Sequence, residues 1–218
     1  MRQPAQERGR RRRDTLLDAA VELLGEGGFD AVSHRAVADR ARLPLAATTY
    51  YFRSRDDLIA AAFELMVDRD LAVTRERFTA RIRRLGAAAG DRPAPAGGAA
   101  APRMSARAAA EALAAALLPR DETERLRHLA LWELYLRAGR DPALRPLARA
   151  WTDRCRATTA ELLRIAGYPA GPAAVTLLGA AADGLTIEAV VEARPNAVQS
   201  MVEIMSHALD RIRMTEGA

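Results

Sequence analysis

Helical periodicity runs through almost the whole sequence and limits the possible folds more than any other feature. Apolar residues recur every three or four positions, and no segment alternates convincingly with the period of two expected of a half-buried strand. Alanine and leucine outnumber valine and isoleucine, which favours helix over strand. The sequence therefore predicts an all-α protein.

Glycine and proline divide this pattern into about nine helices. Gly27 and Gly28 end the first pattern, Pro44 separates two short helices, and a longer fourth helix begins at Ser54 and runs to about residue 85. Residues 86–104 then hold three prolines and four glycines, which predicts a loop. Helical patterns resume at about 105–118, 121–138, 142–166, 172–193 and 196–214.

Positive charge is concentrated at the N-terminus. The formal net charge is +5, and residues 1–13 hold six arginines but only one acid, Glu7, so the rest of the chain sums to zero. A short basic arm suits phosphate, RNA or an acidic membrane. The alternative is a solvated, disordered tail.

Several classes of protein are disfavoured by what the sequence lacks. We find no apolar run long enough for a membrane span and no leader peptide, so we expect a cytoplasmic protein without a membrane partner. The single Cys155 excludes an internal disulfide and a cysteine-based zinc cluster. There is no phosphate-binding loop or nucleophile motif, and the three histidines fall on separate helices. We therefore expect no enzyme, with no catalytic residue, metal site or cofactor.

Residues 33–51 are predicted to form two short helices separated by a tight break. This arrangement has the outline of a helix-turn-helix. Helix pairs in bundles share this outline, but the surroundings favour DNA. A basic arm precedes the pair, Ser33, His34 and Arg35 open its first helix, and tyrosine hydroxyls close its second.

Residues 12–62 resemble the TetR family of bacterial transcriptional regulators. The resemblance lies in the glycine-rich end of the first helix with Phe29, in AVSHRAVADRA, and in TTYYFRSRDDLIAAA. It implies an N-terminal three-helix helix-turn-helix domain and a C-terminal helical bundle. It also implies a ligand-responsive regulator, a repressor that binds a pseudo-palindromic operator in double-stranded DNA as a homodimer and is released by a small-molecule effector.

We accordingly divide the chain into a basic arm and DNA-binding domain over 1–60, with the fourth helix continuing to about 85, a loop over 86–104, and a ligand-binding and dimerisation domain over 105–218. Two other classes stay open: a helical protein-interaction module, and a helical enzyme without a recognisable catalytic motif.

The resemblance assigns separate roles within TTYYF and the residues that follow. It implies that Tyr50 and Phe52 pack beneath the helix-turn-helix, that Thr49 and Tyr51 face DNA, and that Arg55 meets a phosphate. A tyrosine can bury its ring and still offer its hydroxyl to a phosphate oxygen. The alternative is that both tyrosines are core residues.

The second short helix lacks the side chains that usually read bases. It has no Lys, Arg, Asn or Gln for bidentate pairing, but it can offer methyl groups to thymine and hydroxyls to either base type. Thr48 stands where the family usually has leucine, which leaves open which threonine points outward. The predicted DNA-binding residues are Ser33, His34, Arg35, Leu45, Ala46, Ala47, Thr48, Thr49, Tyr51 and Arg55.

Polar aromatic residues share one face of the helix at 121–138. His128, Trp132 and Tyr135 lie on that face, and Trp151 lies on the next helix. Such groups predict the lining of a cavity for a small-molecule effector. Ordinary core packing is the alternative.

Two apolar lines mark the helix at 172–193. One line and its counterpart on the last helix predict a four-helix bundle between two subunits, formed by Val175, Leu178, Ala182, Leu185, Met201, Met205 and Leu209. A second line holds Leu177, Ala181, Gly184 and Val191. The alternative is that both helices are core helices of a monomer.

Overall fold

Every regular element in the part of the chain that the structure describes, residues 3–88 and 104–214, is helical. In this computed structural model nine α-helices lie in those ranges, together with a 3-10 turn at Pro142–Leu144, which confirms the all-α prediction. The predicted loop falls largely on residues 89–103, which lie outside the described ranges. The helices are α1 Gln3–Ala31, α2 His34–Ala41, α3 Leu45–Tyr51, α4 Arg55–Ala88, α5 Ala106–Leu117, α6 Glu122–Arg140, α7 Arg145–Ile165, α8 Pro172–Glu192 and α9 Ala197–Met214.

Side-chain caps set where four helices begin. Ser33, Ser54, Ser105 and Asp121 each accept a hydrogen bond from the backbone N–H three residues further on. These bonds satisfy amides that have no partner within the helix. The caps explain why the predicted starts agree with the structure to within about one residue.

Helix α1 begins earlier than the sequence suggests. It starts at Gln3, so the arginines at positions 8–13 belong to a helix rather than to a disordered tail. Its regular geometry is interrupted at Gly27 and Gly28, and Gly28 has a φ of 64° that glycine tolerates without strain. The chain then continues helically to Ala31, directly before the cap of α2.

The described chain forms two compact units. The first contains α1–α3, α4 up to Arg69, and the stretch Pro119–Trp151 with α6; the second contains α4 from Asp70, α5, most of α7, α8 and α9. This division by compactness differs from our sequence-based domains, since α6 belongs with the N-terminal helices. The first unit has its own core, which includes Leu16, Leu24, Val37, Phe52, Leu58, Phe63 and Leu134.

Alanine dominates the core of the second unit. Ala109, Ala110 and Ala112 of α5 are fully buried beside α9, where their small side chains allow the helices to approach closely. The core also takes in Phe78 of α4. The residues that we predicted for a dimer interface lie in or against it: Val175, Leu178, Met201, Met205 and Leu209 are buried, and Ala182 and Leu185 pack on them.

That finding corrects our choice of Val175, Leu178, Met201, Met205 and Leu209 as interface residues, while Ala182 and Leu185 are only half-buried. A side chain already covered by its own chain is not available to a second chain. The apolar line that faces outward on α8 is the other one, with Leu177 45% exposed and Val191 61% exposed.

Candidate nucleic-acid interface

The turn between α2 and α3 is tight, and one of its residues, Arg42, has the left-handed backbone conformation. Arg42 closes α2 with φ 54° and ψ 41°, and the N–H of Leu43 donates to the Ala38 carbonyl at 3.0 Å. Pro44 then opens α3. Because Val37 and Ala38 are buried, α2 is fixed against the rest of the first unit, while α3 lies at the surface of that unit.

Helix α3 exposes a mainly apolar face. Leu45 is 51% exposed, Ala46 and Thr49 are exposed, and Ala47 is half-buried. Thr48 is wholly buried, and its hydroxyl donates to the Leu45 carbonyl at 2.8 Å. Our prediction that Thr48 faces DNA is therefore wrong, because one position along a helix turns a side chain by about 100°.

The two tyrosines of α3 exchange the roles that we expected. Tyr50 is 81% exposed rather than packed, and Tyr51 is half-buried. The Tyr51 hydroxyl lies 3.6 Å from where a Cβ on Gly9 would stand, so this side chain packs towards α1. Phe52 is buried, as predicted, and the Arg13 guanidinium lies 5.6 Å from the centre of its ring.

Arg55 is held by the protein rather than aimed at DNA. Its Nε–H donates to the Val32 carbonyl at 2.7 Å, and its Nη2 donates to the Phe29 carbonyl. These carbonyls lie at the end of α1 and one residue beyond it, and the Phe29 carbonyl also accepts from the Val32 N–H at 3.3 Å. We therefore correct the predicted phosphate contact: Arg55 joins the start of α4 to the end of α1.

The first turn of α2 offers one exposed cation. Ser33 uses its hydroxyl oxygen as the cap, and His34 is half-buried with Nδ1 lacking a protein hydrogen-bond partner. The Arg35 side chain is 88% exposed, and its contact with Asp39, at 3.9 Å, is long. Arg35 is thus the polar group of this turn that is best placed to reach a DNA strand.

Ion pairs fix α2 on α1. The Arg40 guanidinium donates to Glu26 at 2.6 and 2.9 Å and to Glu22 at 3.1 Å. The same hydrogen bonds lower the pKa of Glu26. Because these pairs are at the surface, they orient α2 more than they stabilise it.

Two residues of α6 hold the joint between α1 and α2. Glu133 accepts a hydrogen bond from the Phe29 N–H at 3.2 Å, and Arg137 bridges Glu133, at 2.7 Å, and Asp30, at 3.2 Å. The Arg137 guanidinium also lies 5.0 Å from the centre of the Phe29 ring. We name Glu133 and Arg137 the α6 latch.

Gly28 makes room for this latch. A Cβ built at Gly28 would stand 2.2 Å from the Glu133 carboxylate, closer than any contact that side chains adopt. The positive φ at Gly28 also favours glycine, because a residue with a Cβ is strained in that conformation. In the sequence Glu133 is an acid within a largely apolar stretch, but its partner Phe29 lies 104 positions away.

The aromatic residues predicted for a ligand site come together, with one addition. Trp132, Tyr135 and Trp151 meet edge to face with ring centres 5.5–6.1 Å apart, and Phe63 of α4 adds a fourth ring at 6.0 Å from Trp151. His128 has its Nδ1 2.9 Å from the Glu124 carbonyl on its own helix. Tyr135 is 44% exposed, so the aromatic cluster has one open edge.

Helix α8 is mostly apolar, although Asp183 and Glu188 are exposed on it. By length and composition it is the one described helix that is apolar enough to cross a membrane, although only 22% of its most apolar window is buried in this chain. This qualifies our expectation that no such segment exists. A Cβ at Gly179 or Gly184 would meet no atom within 4 Å, so the outward face is open to another helix.

Among the described residues, no group of three or more His, Cys, Asp or Glu side chains is placed to hold a metal ion.

The turn, the exposed face of α3 and the arginines around it define a helix-turn-helix protein of the DNA-binding class. Residues 16–62 match the model for bacterial regulatory proteins of the tetR family, and residues 104–211 match the Tetracyclin repressor-like C-terminal domain. The chain belongs to the TetR family of bacterial transcriptional regulators.

Individual relatives agree with this assignment. The chain is 42% identical over 53 residues to the HTH-type transcriptional repressor KstR of Mycobacterium tuberculosis, a stretch that spans 24% of each protein. A Streptomyces coelicolor A3(2) protein described as a transcriptional regulator has 28% identity and a TM-score of 0.67, with 91% of this chain and 98% of that one covered. The multidrug binding protein EbrR, in complex with ethidium, has 28% identity and a TM-score of 0.62 over 91% and 98% of the chains.

Proposed function

We propose that this protein is a ligand-responsive regulator of transcription, a repressor that binds a pseudo-palindromic operator as a homodimer in the cytoplasm. The observation that carries the proposal is the helix-turn-helix, in which α2 is fixed by Arg40 and α3 presents an exposed face. A recognition helix of this kind enters the major groove.

The open face of α8 supports a homodimer. Leu177 and Val191 expose large apolar side chains on a helix of high apolar content, and an unpartnered apolar patch is a marker of an interface. Pairing about a two-fold axis presents two copies of α3 to half-sites roughly one helical turn apart.

The α6 latch offers a route for release by an effector. Trp132 precedes Glu133 directly, and Tyr135 lies two residues before Arg137, so α6 carries both the aromatic cluster and the contacts to Phe29. A mainly apolar or aromatic ligand on the open edge at Tyr135 would act on the α1–α2 joint through α6. It weakens operator binding only if it prefers the state in which that joint has moved.

Electrophoretic mobility shift with the DNA upstream of the protein's own gene tests the proposal. We expect a discrete complex whose affinity survives excess non-specific DNA, and a two-fold symmetric protected site. Absence of any sequence preference over random duplex would contradict the proposal and favour a protein-interaction module.

The route through α6 has its own test. Replacing Glu133→Gln and Arg137→Gln together should lower operator affinity without ligand and shrink the further loss that an effector causes. The matched control is Glu122→Gln, which removes an acid paired to Arg125 on the same helix. Equal effects from both variants would mean that α6 does not transmit the signal through this latch.

A further inference from the structure

We propose that α3 selects operators largely by the C5-methyl groups of thymine, with Leu45 and Ala46 as the residues that contact them. The inference rests on the proposed DNA-binding function and names the chemistry by which the sequence is read. It predicts half-sites that contain thymine at the positions beneath the start of α3.

The exposed face of α3 contains no conventional base reader. Its outward side chains are Leu45, Ala46, Thr49 and Tyr50, and none carries an amide or a guanidinium group. Bidentate recognition of guanine or adenine needs such groups. The readout must therefore come mostly from apolar contact, or from side chains outside α3.

The hydroxyls of α3 have little freedom to replace them. Thr48 is buried, and Thr49 directs its hydroxyl to the Ala46 carbonyl at 3.3 Å. In that orientation Thr49 presents a methyl group and an acceptor oxygen, with its donor hydrogen occupied. Thymine alone among the four bases shows a methyl group in the major groove, so it is the natural partner of this face.

The charge around α3 indicates that DNA, rather than an apolar protein, covers this face. Arg35 at the start of α2, Arg42 in the turn and Arg53 after α3 are all exposed. Such arginines attract phosphates and set the position of the protein without reading sequence. The small side chains of Ala46 and Ala47 then allow α3 to approach the floor of the groove closely.

The test begins with duplexes selected from a random library by the full chain. For each selected half-site, duplexes with deoxyuridine in place of thymine remove only the methyl groups. We expect affinity at fixed salt to fall about fourfold for each contacted methyl, the effect of losing one buried methyl contact. Equal affinity for the thymine and deoxyuridine duplexes would overturn the inference while leaving the proposed function intact.

Two variants assign the effect to residues. Leu45→Ala and Leu45→Gln should each reduce the ratio of thymine to deoxyuridine affinity, and the glutamine keeps the length and helix propensity of the side chain. Arg35→Gln, the matched control, should weaken binding to both duplexes by the same factor. A ratio unchanged in both Leu45 variants would overturn the assignment, because the methyl effect would then come from DNA shape.

The outcomes separate this inference from the function that it rests on. If the library yields no enriched sequence, the DNA-binding proposal itself fails. If enriched duplexes bind Leu45→Gln as tightly as the unchanged chain, α3 does not contact bases and the inference fails alone. Circular dichroism and thermal melting of each variant confirm that the comparisons are made on folded protein.

Discussion

In the unit that contains α1–α3 and α6, short charged hydrogen bonds join one helix to the next. Around α5, α8 and α9 alanine and aliphatic side chains do so, and the ion pairs Arg75–Glu161 and Arg81–Glu111, between helices of that unit, are long, at 3.9 and 3.7 Å. Three side chains of the first unit form hydrogen bonds to another element of that unit: Arg55, Arg40 and Glu133. The core of the second unit is almost wholly apolar. Directional bonds fix the angle between helices, while apolar contact fixes mainly how much surface is covered.

This difference extends to the surface that each unit leaves open. The first unit surrounds the small face of α3 with arginines, which suits a polyanion. The second unit leaves an apolar line on α8, with Leu177 and Val191 exposed, which suits another copy of the same helix. The predictions below test this contrast, from the largest expected effect to the smallest.

Charge on the open face of α8 should break the proposed dimer. Leu177→Arg combined with Val191→Arg places two cations in an apolar interface, where their desolvation is costly. We expect a monomer at micromolar concentration by analytical ultracentrifugation. Operator affinity should fall by roughly 10²–10⁴-fold, because the second half-site no longer binds within one complex.

The control for that experiment is Ala157→Arg, an exposed position on α7 in the same unit. It adds the same kind of charge and should leave the sedimentation coefficient unchanged. Persistence of the dimer in the double variant would show that α8 is not the interface. It would contradict the claim that the second unit uses its apolar face to bind another copy of the chain.

Filling the space at Gly28 should damage the directional contacts of the first unit. Gly28→Ala places a methyl group against the Glu133 carboxylate at a positive φ, and we expect the free energy of unfolding to fall by about 1–3 kcal/mol. Urea unfolding monitored by circular dichroism measures it. Gly139→Ala on α6, where a Cβ meets no atom within 4 Å, should instead raise stability by up to about 1 kcal/mol.

The two tyrosines of α3 provide a smaller test of the DNA-facing surface. Tyr50→Phe should weaken operator binding roughly two- to tenfold on all sequences, since it removes one exposed hydroxyl that can bind a phosphate. Tyr51→Phe should have less effect, because that side chain is half-buried towards Gly9. A larger effect of Tyr51→Phe in fluorescence anisotropy would restore the roles expected from the family resemblance.

The smallest effect is a pH dependence in the second unit. Partial desolvation by neighbouring groups raises the pKa of Asp183, an exposed residue on α8, above its ordinary value of 3.8. The folded chain then binds this proton more tightly than the unfolded chain, so stability falls as the pH rises from about 4 through the raised value. Asp183→Asn should remove that decline in urea titrations at a series of pH values, and an unchanged slope would contradict the assignment.

The sequence was sufficient for the helices and their caps but not for the direction of single side chains. Ser33 and Ser54 are recognisable caps because the partner amide is only three residues away. Thr48 and Thr49 are chemically alike, so a helix of seven residues gave no internal signal of which one is buried.

Contacts between residues far apart in the sequence could not be predicted either. Arg55 binds carbonyls 23 and 26 positions away, and an exposed arginine looks the same in sequence whether it binds carbonyls or phosphate. On α8, which carries two apolar lines, hydrophobicity does not decide that Val175 and Leu178 face their own chain. The apolar line of α8 that we assigned to the dimer interface packs instead in or against the core of the second unit.

The helical path of α1 limits how many counterions its arginines can displace from DNA. Consecutive residues of a helix point about 100° apart, so Arg10, Arg11, Arg12 and Arg13 fan out around the axis instead of sharing a side. Arg11 pairs with Glu7 at 2.7 Å, and Arg13 lies over the Phe52 ring. The run of four therefore neutralises at most about two phosphates, and it adds at most about −2 to the slope of log affinity against log salt, where an extended arm would add nearly twice as much.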